Sequence, residues 1–319
     1  MATSGNGPRV AQLGCGYWGK NLARNFAELG ALAAVCDPDP ATAQREAEKN
    51  GVAARSVAEV LADTSIAGVS IAAPAEVHAE LALKAFDAGK HVFVEKPIAL
   101  TMEDAEKMRI AADKAGRALM VGHLLQYHPA FETLLGLVRA DELGRLRYAY
   151  SNRLSLGKFR TEENALWSFA PHDVSMLLAL FGSEPVSVKG SGGAFVTPNI
   201  EDEFRLDMTF KGGGRAHVFA SWLHPFKEHR LVVVGEKAMA VFEDSLAGPD
   251  KLRLYRHAID ASGRAPEPKK AEAEPISYPA SEPLKNECAH FLACCEGKIR
   301  PRTDAAEAIA VLKVLKAAG

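Results

Sequence analysis

The chain has 319 residues, 48% of them hydrophobic, and its 38 basic and 40 acidic side chains leave a net charge of −2. That length supports two domains with full cores, and the balanced charge excludes the basic excess expected of a nucleic-acid-binding protein. No apolar run approaches the ~20 residues a membrane span needs.

The opening MATSGNGPR lacks the charged-then-apolar plan of a secretory leader. Residues 1–8 are expected to be a flexible tail and the protein to be cytoplasmic. Its five cysteines, Cys15, Cys36, Cys288, Cys294 and Cys295, form no C-x-x-C pair. They read as reduced, buried small hydrophobes, with no metal site.

Short apolar runs then alternate with helical patterns. Residues 9–13 read as a strand and 18–29 as a helix, with Leu22, Phe26 and Leu29 spaced for one face. Residues 31–36 form a second strand, and a helix follows Pro40, which suits a first turn. Next come a strand over 68–72, a helix over 76–88, a strand over 91–94, a helix over 102–115 and a strand over 118–121. This alternation predicts a doubly wound parallel α/β sheet over residues 1–122. Ligands of such sheets sit beyond the C-terminal ends of the strands.

The first strand runs into Gly14-Cys15-Gly16-Tyr17-Trp18-Gly19 and then a helix, the setting in which G-x-G-x-x-G binds a dinucleotide. Gly14 suits the tight turn, Gly16 the approach of a pyrophosphate, and Gly19 close helix–strand packing. The helix N-terminus offers N–H groups to the phosphates. Asp37, at the end of the second strand, is placed to accept from ribose hydroxyls and to repel a 2′-phosphate, which favours NAD over NADP. The competing reading of Asp37 is a turn residue before Pro38. The strand 91–94 ends on Glu95-Lys96-Pro97, so the fold would carry two charges to the ligand edge of the sheet.

In the second half, "LGRLRYAYSNRLSL" reads as a strand. "FRLDMTFKGGGRAHVFASW" reads as two strands around a turn, and "HRLVVVGEKAMAVFED" as another pair. His172 sits just before an apolar helical stretch holding Val174, Leu177, Leu178 and Phe181. Residues 259–283 are the most loop-like segment, and helices over 282–296 and 304–317 end the chain.

The motifs "GCGYWG", "IAAPAEVHAELALKAFDAGKHVFVEKP", "GHLLQYHPAF", "APHDVSMLLALFG" and "EPLKNECAHFLACCEGKIRPRTD" occur in one order along the chain. Together they resemble the Gfo/Idh/MocA oxidoreductase family. The resemblance implies an N-terminal Rossmann domain over 1–122. It also implies a C-terminal substrate and oligomerisation domain over 123–319, built on a large, mostly antiparallel sheet. The terminal helix is expected to pack back on the first domain.

The resemblance makes Lys96 the catalytic lysine, with His172 as a second proton-exchanging group beside the substrate. A lysine serves as a base at neutral pH only where desolvation or a neighbouring positive charge lowers its pKa from ~10.4. Cofactor contacts are implied at Gly14, Gly16, Tyr17, Trp18, Gly19, Asp37, Ala73, Pro74, His78, Glu95, Lys96 and Gln126. Pro97 is expected in a tight turn with a cis bond. Many relatives carry an aspartate where this chain has Ser168, so an aspartate–histidine dyad with His172 is excluded and more weight falls on Lys96.

Substrate contacts are expected at Lys96, Tyr127, His172 and Asp173. The same holds for Arg153, Lys158, Arg160 and Asn164, cations and an amide that suit a phosphate or carboxylate. Asp173 is read as orienting His172 or as favouring a helix N-terminus. The chain is similar to the nucleotide-sugar branch of the family. That implies NAD-dependent oxidation of the C3 hydroxyl of a UDP-N-acetyl-hexuronate in surface-polysaccharide biosynthesis. The alternatives are a dehydrogenase of a free sugar or inositol, and a non-catalytic dinucleotide-sensing regulator. The chain ends at "LKVLKAAG", so no appended acyltransferase is expected. A homo-oligomer is expected, with no nucleic-acid or membrane partner.

Overall fold

A computed structural model describes residues 7–319; most of the expected tail, residues 1–6, lies outside the described residues. The chain divides into two compact units. The first runs up to Tyr127 and takes in Ser281–Leu312; the second comprises His128–Ala280 and Lys313–Gly319. The boundary falls at Tyr127, not at the expected 122, and the first unit takes back Ser281–Leu312, where only the terminal helix was expected to return.

The first unit contains β1 (Arg9–Leu13), α1 (Gly19–Glu28), β2 (Leu32–Cys36), α2 (Pro40–Asn50), β3 (Ala53–Ala54), α3 (Val57–Ala62), β4 (Ile66–Ile71), α4 (His78–Asp87), β5 (His91–Val94), α5 (Met102–Ala115) and β6 (Leu119–Val121). Its sheet is wholly parallel in the order β3-β2-β1-β4-β5-β6. The order reverses at β1, which places a crevice beyond the ends of β1 and β4. Every residue of β2 and β5 is buried. Strands covered on both faces read as continuous apolar runs, and for that reason they were visible in the sequence.

Two elements of this unit, β3 and α3, are absent from the sequence reading. β3 has two exposed residues and carries no pattern. The helix α3 did announce itself, because Ser56 and Glu59 form a capping box.

The second unit begins with α6 (Pro129–Arg139), where His128 is the N-cap and its Nδ1 accepts from the Ala130 N–H. It continues with β7 (Leu146–Leu156), α7 (Ala165–Phe181), β8 (Ser187–Gly193), β9 (Glu203–Thr209), β10 (Arg215–Ser221), β11 (Leu223–Gly235), β12 (Met239–Glu243), β13 (Leu252–Tyr255), β14 (Ala258–Asp260), β15 (Glu267–Lys269) and β16 (Ala273–Pro275). The eight-stranded sheet has the order β16-β13-β12-β11-β7-β10-β9-β8. Only β7 and β10 pair in parallel. In β9 the buried Phe204, Leu206 and Met208 alternate with the exposed Arg205 and Asp207, so one face of the sheet is core and the other open. The short strands β15 and β16 lie within the stretch read as loop, and β14 runs into its start.

His172 does not precede its helix. α7 starts at Ala165, where the Asn164 side chain accepts from the Trp167 N–H, and it runs through Pro171. The apolar pattern after His172 marked only the second half of the helix.

Helix α8 (Pro283–Cys295) belongs to the first unit, and α9 (Ala305–Ala318) ends the chain. Phe291 of α8 brings its ring 5.8 Å from Phe93 and 6.3 Å from Phe26, within the core that holds β1, β2 and β5. All five cysteines are free, and four are fully buried. Among the described residues, no helix is long and apolar enough to cross a membrane.

Candidate cofactor site and catalytic turn

The glycine turn after β1 is built on two close approaches. Gly14 has φ +83°, and a Cβ there would fall 2.6 Å from the Ala72 carbonyl oxygen at the end of β4. A Cβ on Gly19 would lie 2.0 Å from the Gly14 oxygen. Both positions exclude a side chain for reasons internal to the protein. Gly16 differs: a Cβ there would meet nothing within 4 Å. Packing does not demand glycine at that position, whereas a molecule lying against the turn would.

Helix α1 then starts with no side-chain cap at Trp18 and no acidic residue in its first turn, leaving its positive end open to an anion. Asp37 faces the same turn. Its Oδ2 accepts from the Cys15 N–H at 2.7 Å and its Oδ1 from the Asp39 N–H at 3.0 Å. These residues fit the pyrophosphate and ribose of a dinucleotide. Tyr17 is 86% exposed, and the Lys20 ammonium lies 5.5 Å from its ring centroid.

β5 delivers Glu95 and Lys96 to the same edge of the sheet, and the Lys96–Pro97 bond is cis. Glu95 is half-buried. Its Oε1 accepts from the Trp18 indole at 2.6 Å and its Oε2 from the Lys96 N–H at 3.2 Å. Burial is the largest influence on this carboxyl and pushes its pKa up to about 7, against the opposing pull of the Lys96 charge and the Trp18 bond. Gly122, just after β6, makes room for it: a Cβ there would lie 2.8 Å from Glu95 Oε1. That glycine was missed, although a glycine at the end of a buried strand is a readable sign of close approach.

Other expected contacts have different roles. His78 is buried, and both ring nitrogens face backbone oxygens, Nδ1 to Pro97 and Nε2 to Ala73, each at 2.9 Å. The ring nitrogens are thus occupied by the protein and are not cofactor ligands. Tyr127 is 1% exposed; its hydroxyl lies 2.9 Å from Thr303 Oγ1, and Arg302 stacks on its ring. It is a core residue of the first unit and not a substrate contact. Gln126 is also buried, with its backbone oxygen accepting from Arg302. Ala73 is half-buried and Pro74 exposed, directly after β4.

In the second unit, the guanidinium of Arg153 is already neutralised. Its Nε donates to Asp173 Oδ2 at 2.5 Å and its Nη2 to Oδ1 at 3.1 Å, while Ser151 Oγ donates to Oδ1 at 2.5 Å. Arg153 and Asp173 are both buried. The expected anion-binding arginine is a buried ion pair, and Asp173 serves that pair from mid-helix, not a helix N-terminus. His229, across the strand pair from Arg153, lies 3.3 Å from its Nη1 and was missed. Burial and the Arg153 charge hold its pKa down at about 4.

Asn164 is committed as the cap of α7 and donates to Glu201 at 2.7 Å, so it too has a structural role. Arg160 pairs with Glu163 at 3.1 Å, and Lys158 is exposed. His172 is half-buried and Ser168 buried on the same helix.

A glycine turn at the switch point of a parallel sheet, with a charged strand end beside it, is the arrangement of a dinucleotide-dependent oxidoreductase. Residues 8–123 match the oxidoreductase family model with an NAD-binding Rossmann fold, and residues 131–241 match the GFO/IDH/MocA C-terminal domain. UDP-N-acetylglucosamine 3-dehydrogenase of Acidithiobacillus ferrooxidans is 30% identical over 89% of this chain and 87% of its own length. The solved structure of that enzyme aligns with a TM-score of 0.86 at 26% identity, covering 97% of this chain and 96% of the other. A 1,5-anhydro-D-fructose reductase of Ensifer adhaerens is 37% identical over 61% of this chain and 63% of its own. The chain belongs to the GFO/IDH/MocA family of oxidoreductases, and its cofactor is NAD.

Proposed function

We propose that this enzyme oxidises the C3 hydroxyl of a UDP-linked N-acetylated hexose or hexuronate. The observation that carries the reading is the similarity to UDP-N-acetylglucosamine 3-dehydrogenase, which extends over 89% of the chain in sequence and 97% in structure. The residues of the first unit suit the chemistry. Gly16 and the start of α1 receive the pyrophosphate, and Asp37 receives the ribose hydroxyls. NAD, when bound, supplies the hydride acceptor. Lys96 takes the proton of the substrate hydroxyl, and Glu95 and Trp18 hold the lysine's turn in place.

The test mixes the protein with NAD and either UDP-N-acetylglucosamine or its uronate, with and without an oxo-acid acceptor. Reduced nicotinamide and a 3-keto sugar, read by mass spectrometry, are the expected products. Lys96→Ala is expected to lose most turnover and to keep NAD binding. Turnover of the free sugar but not of the UDP-sugar would overturn the substrate class. It would favour the second reading, a free-sugar or inositol dehydrogenase, which is supported by the 37% identity to the anhydrofructose reductase and by 28% identity to a scyllo-inositol 2-dehydrogenase.

A further inference from the structure

His78 opens α4, is 1% exposed, and touches two backbone segments that the chemistry would use. Nε2 faces the Ala73 oxygen and Nδ1 the Pro97 oxygen, both at 2.9 Å. Ala73 follows β4 and abuts the glycine turn, since a Cβ on Gly14 would lie 3.1 Å from the Ala73 nitrogen. Pro97 follows Lys96 directly. One buried ring therefore spans the chain from the dinucleotide turn to the lysine turn.

We propose that His78 is a positioning residue: its imidazole, held between the Ala73 and Pro97 carbonyls, fixes Lys96 relative to the dinucleotide turn. This rests on the roles proposed above for Lys96 and the glycine turn.

No other side chain spans both oxygens so well. An imidazole carries its two nitrogens on opposite sides of one rigid ring, and a shorter amide reaches only one carbonyl. A neutral ring has one N–H, so one of the two oxygens faces a lone pair; the imidazolium donates to both. Burial draws the pKa of His78 below its ordinary value, and the two carbonyls oppose that pull. The charged groups acting on the ring are Glu76, which favours the cation, and Lys96, which disfavours it. The clamp is thus tighter in acid, with both bonds made, and looser as the ring loses its proton.

Three variants test the clamp without any sugar. In His78→Asn the amide nitrogen takes the place of Nδ1 and keeps the Pro97 contact. In His78→Gln it takes the place of Nε2 and keeps the Ala73 contact, and His78→Leu keeps neither. The readouts are the NAD Kd, from quenching of tryptophan fluorescence, and the acetylation rate of Lys96, from peptide mass spectrometry. Measured in acid, where the imidazolium donates to both oxygens, the leucine variant is expected to raise both about fivefold, the scale of one lost hydrogen bond at each contact. The asparagine variant restores the Lys96 rate but not the NAD affinity, and the glutamine variant does the reverse.

A folded leucine variant with both readouts unchanged would overturn the proposal. So would asparagine and glutamine variants that each lose both readouts as fully as leucine. If the leucine variant does not fold, the other two decide: opposite losses support the clamp and equal losses refute it. Failure to turn over a UDP-sugar would count against the proposed function alone, because neither readout needs a sugar.

Discussion

The indole Nε1 of Trp18 donates to Glu95 Oε1 at 2.6 Å, tying the glycine turn to the Glu-Lys-Pro turn across 77 positions of sequence. The bond stabilises the carboxylate form of a group whose pKa burial has pushed up to about 7. Trp18→Phe removes the donor, so its cost falls on the ionised form. The variant is expected to lose about 1–2 kcal/mol of stability near pH 8 and less near pH 5, read as the shift in thermal midpoint at the two pH values. An equal loss at both would mean that only packing had been removed.

Glu95 also gives a pH dependence of defined sign. The folded state holds a proton that the unfolded chain releases at its ordinary value of 4.5. Stability from this group is fully present below that value and is lost as pH rises through about 7, with no further change above. Glu95→Gln is expected to flatten the fall in thermal midpoint over that window. An unaltered slope would assign the dependence to another group.

The three glycines of the turn are not equivalent. Gly19→Ala places a Cβ 2.0 Å from the Gly14 oxygen and is expected to destabilise the fold and abolish NAD binding. Gly16→Ala meets only open space, so its stability is expected to stay within about 0.5 kcal/mol of the parent while the NAD Kd rises about tenfold or more. Calorimetry and cofactor titration on the pair check this, and an unchanged Kd in Gly16→Ala would remove the pyrophosphate from that position.

Asp37 both holds the Cys15 N–H and is proposed to meet the ribose. Asp37→Ser is expected to weaken NAD binding about tenfold and to narrow the gap between NAD and NADP. The ratio of the two dissociation constants is the measurement. A parent protein that bound NADP more tightly would reject the ribose assignment.

Arg153 and Asp173 form a buried pair. Arg153→Met leaves the aspartate without its cation and is expected to cost about 3–5 kcal/mol in urea unfolding. Combining it with Asp173→Leu is expected to recover much of that loss. If the double variant is no more stable than the single, the cost lies in packing and not in an uncompensated charge.

By itself, the sequence determined the parallel first sheet, the glycine turn, the acidic strand end and the pairing of Lys96 with the end of β5. Each of these is local: a run of buried apolar residues, a turn that only glycine permits, or a residue one position beyond a strand. The tertiary structure decided the partners. Arg153 looked like a free cation until Asp173 was brought 2.5 Å from it, and Tyr127 like a ligand contact until Thr303, from far along the chain, closed over its hydroxyl. His78 lay in a recognisable motif, but its place between two carbonyls depends on how β4, α4 and the turn after β5 converge. A side chain's chemistry is written in its residue type. Whether that chemistry is spent on a ligand or on the protein depends on contacts between segments distant in sequence, which burial and packing alone bring together.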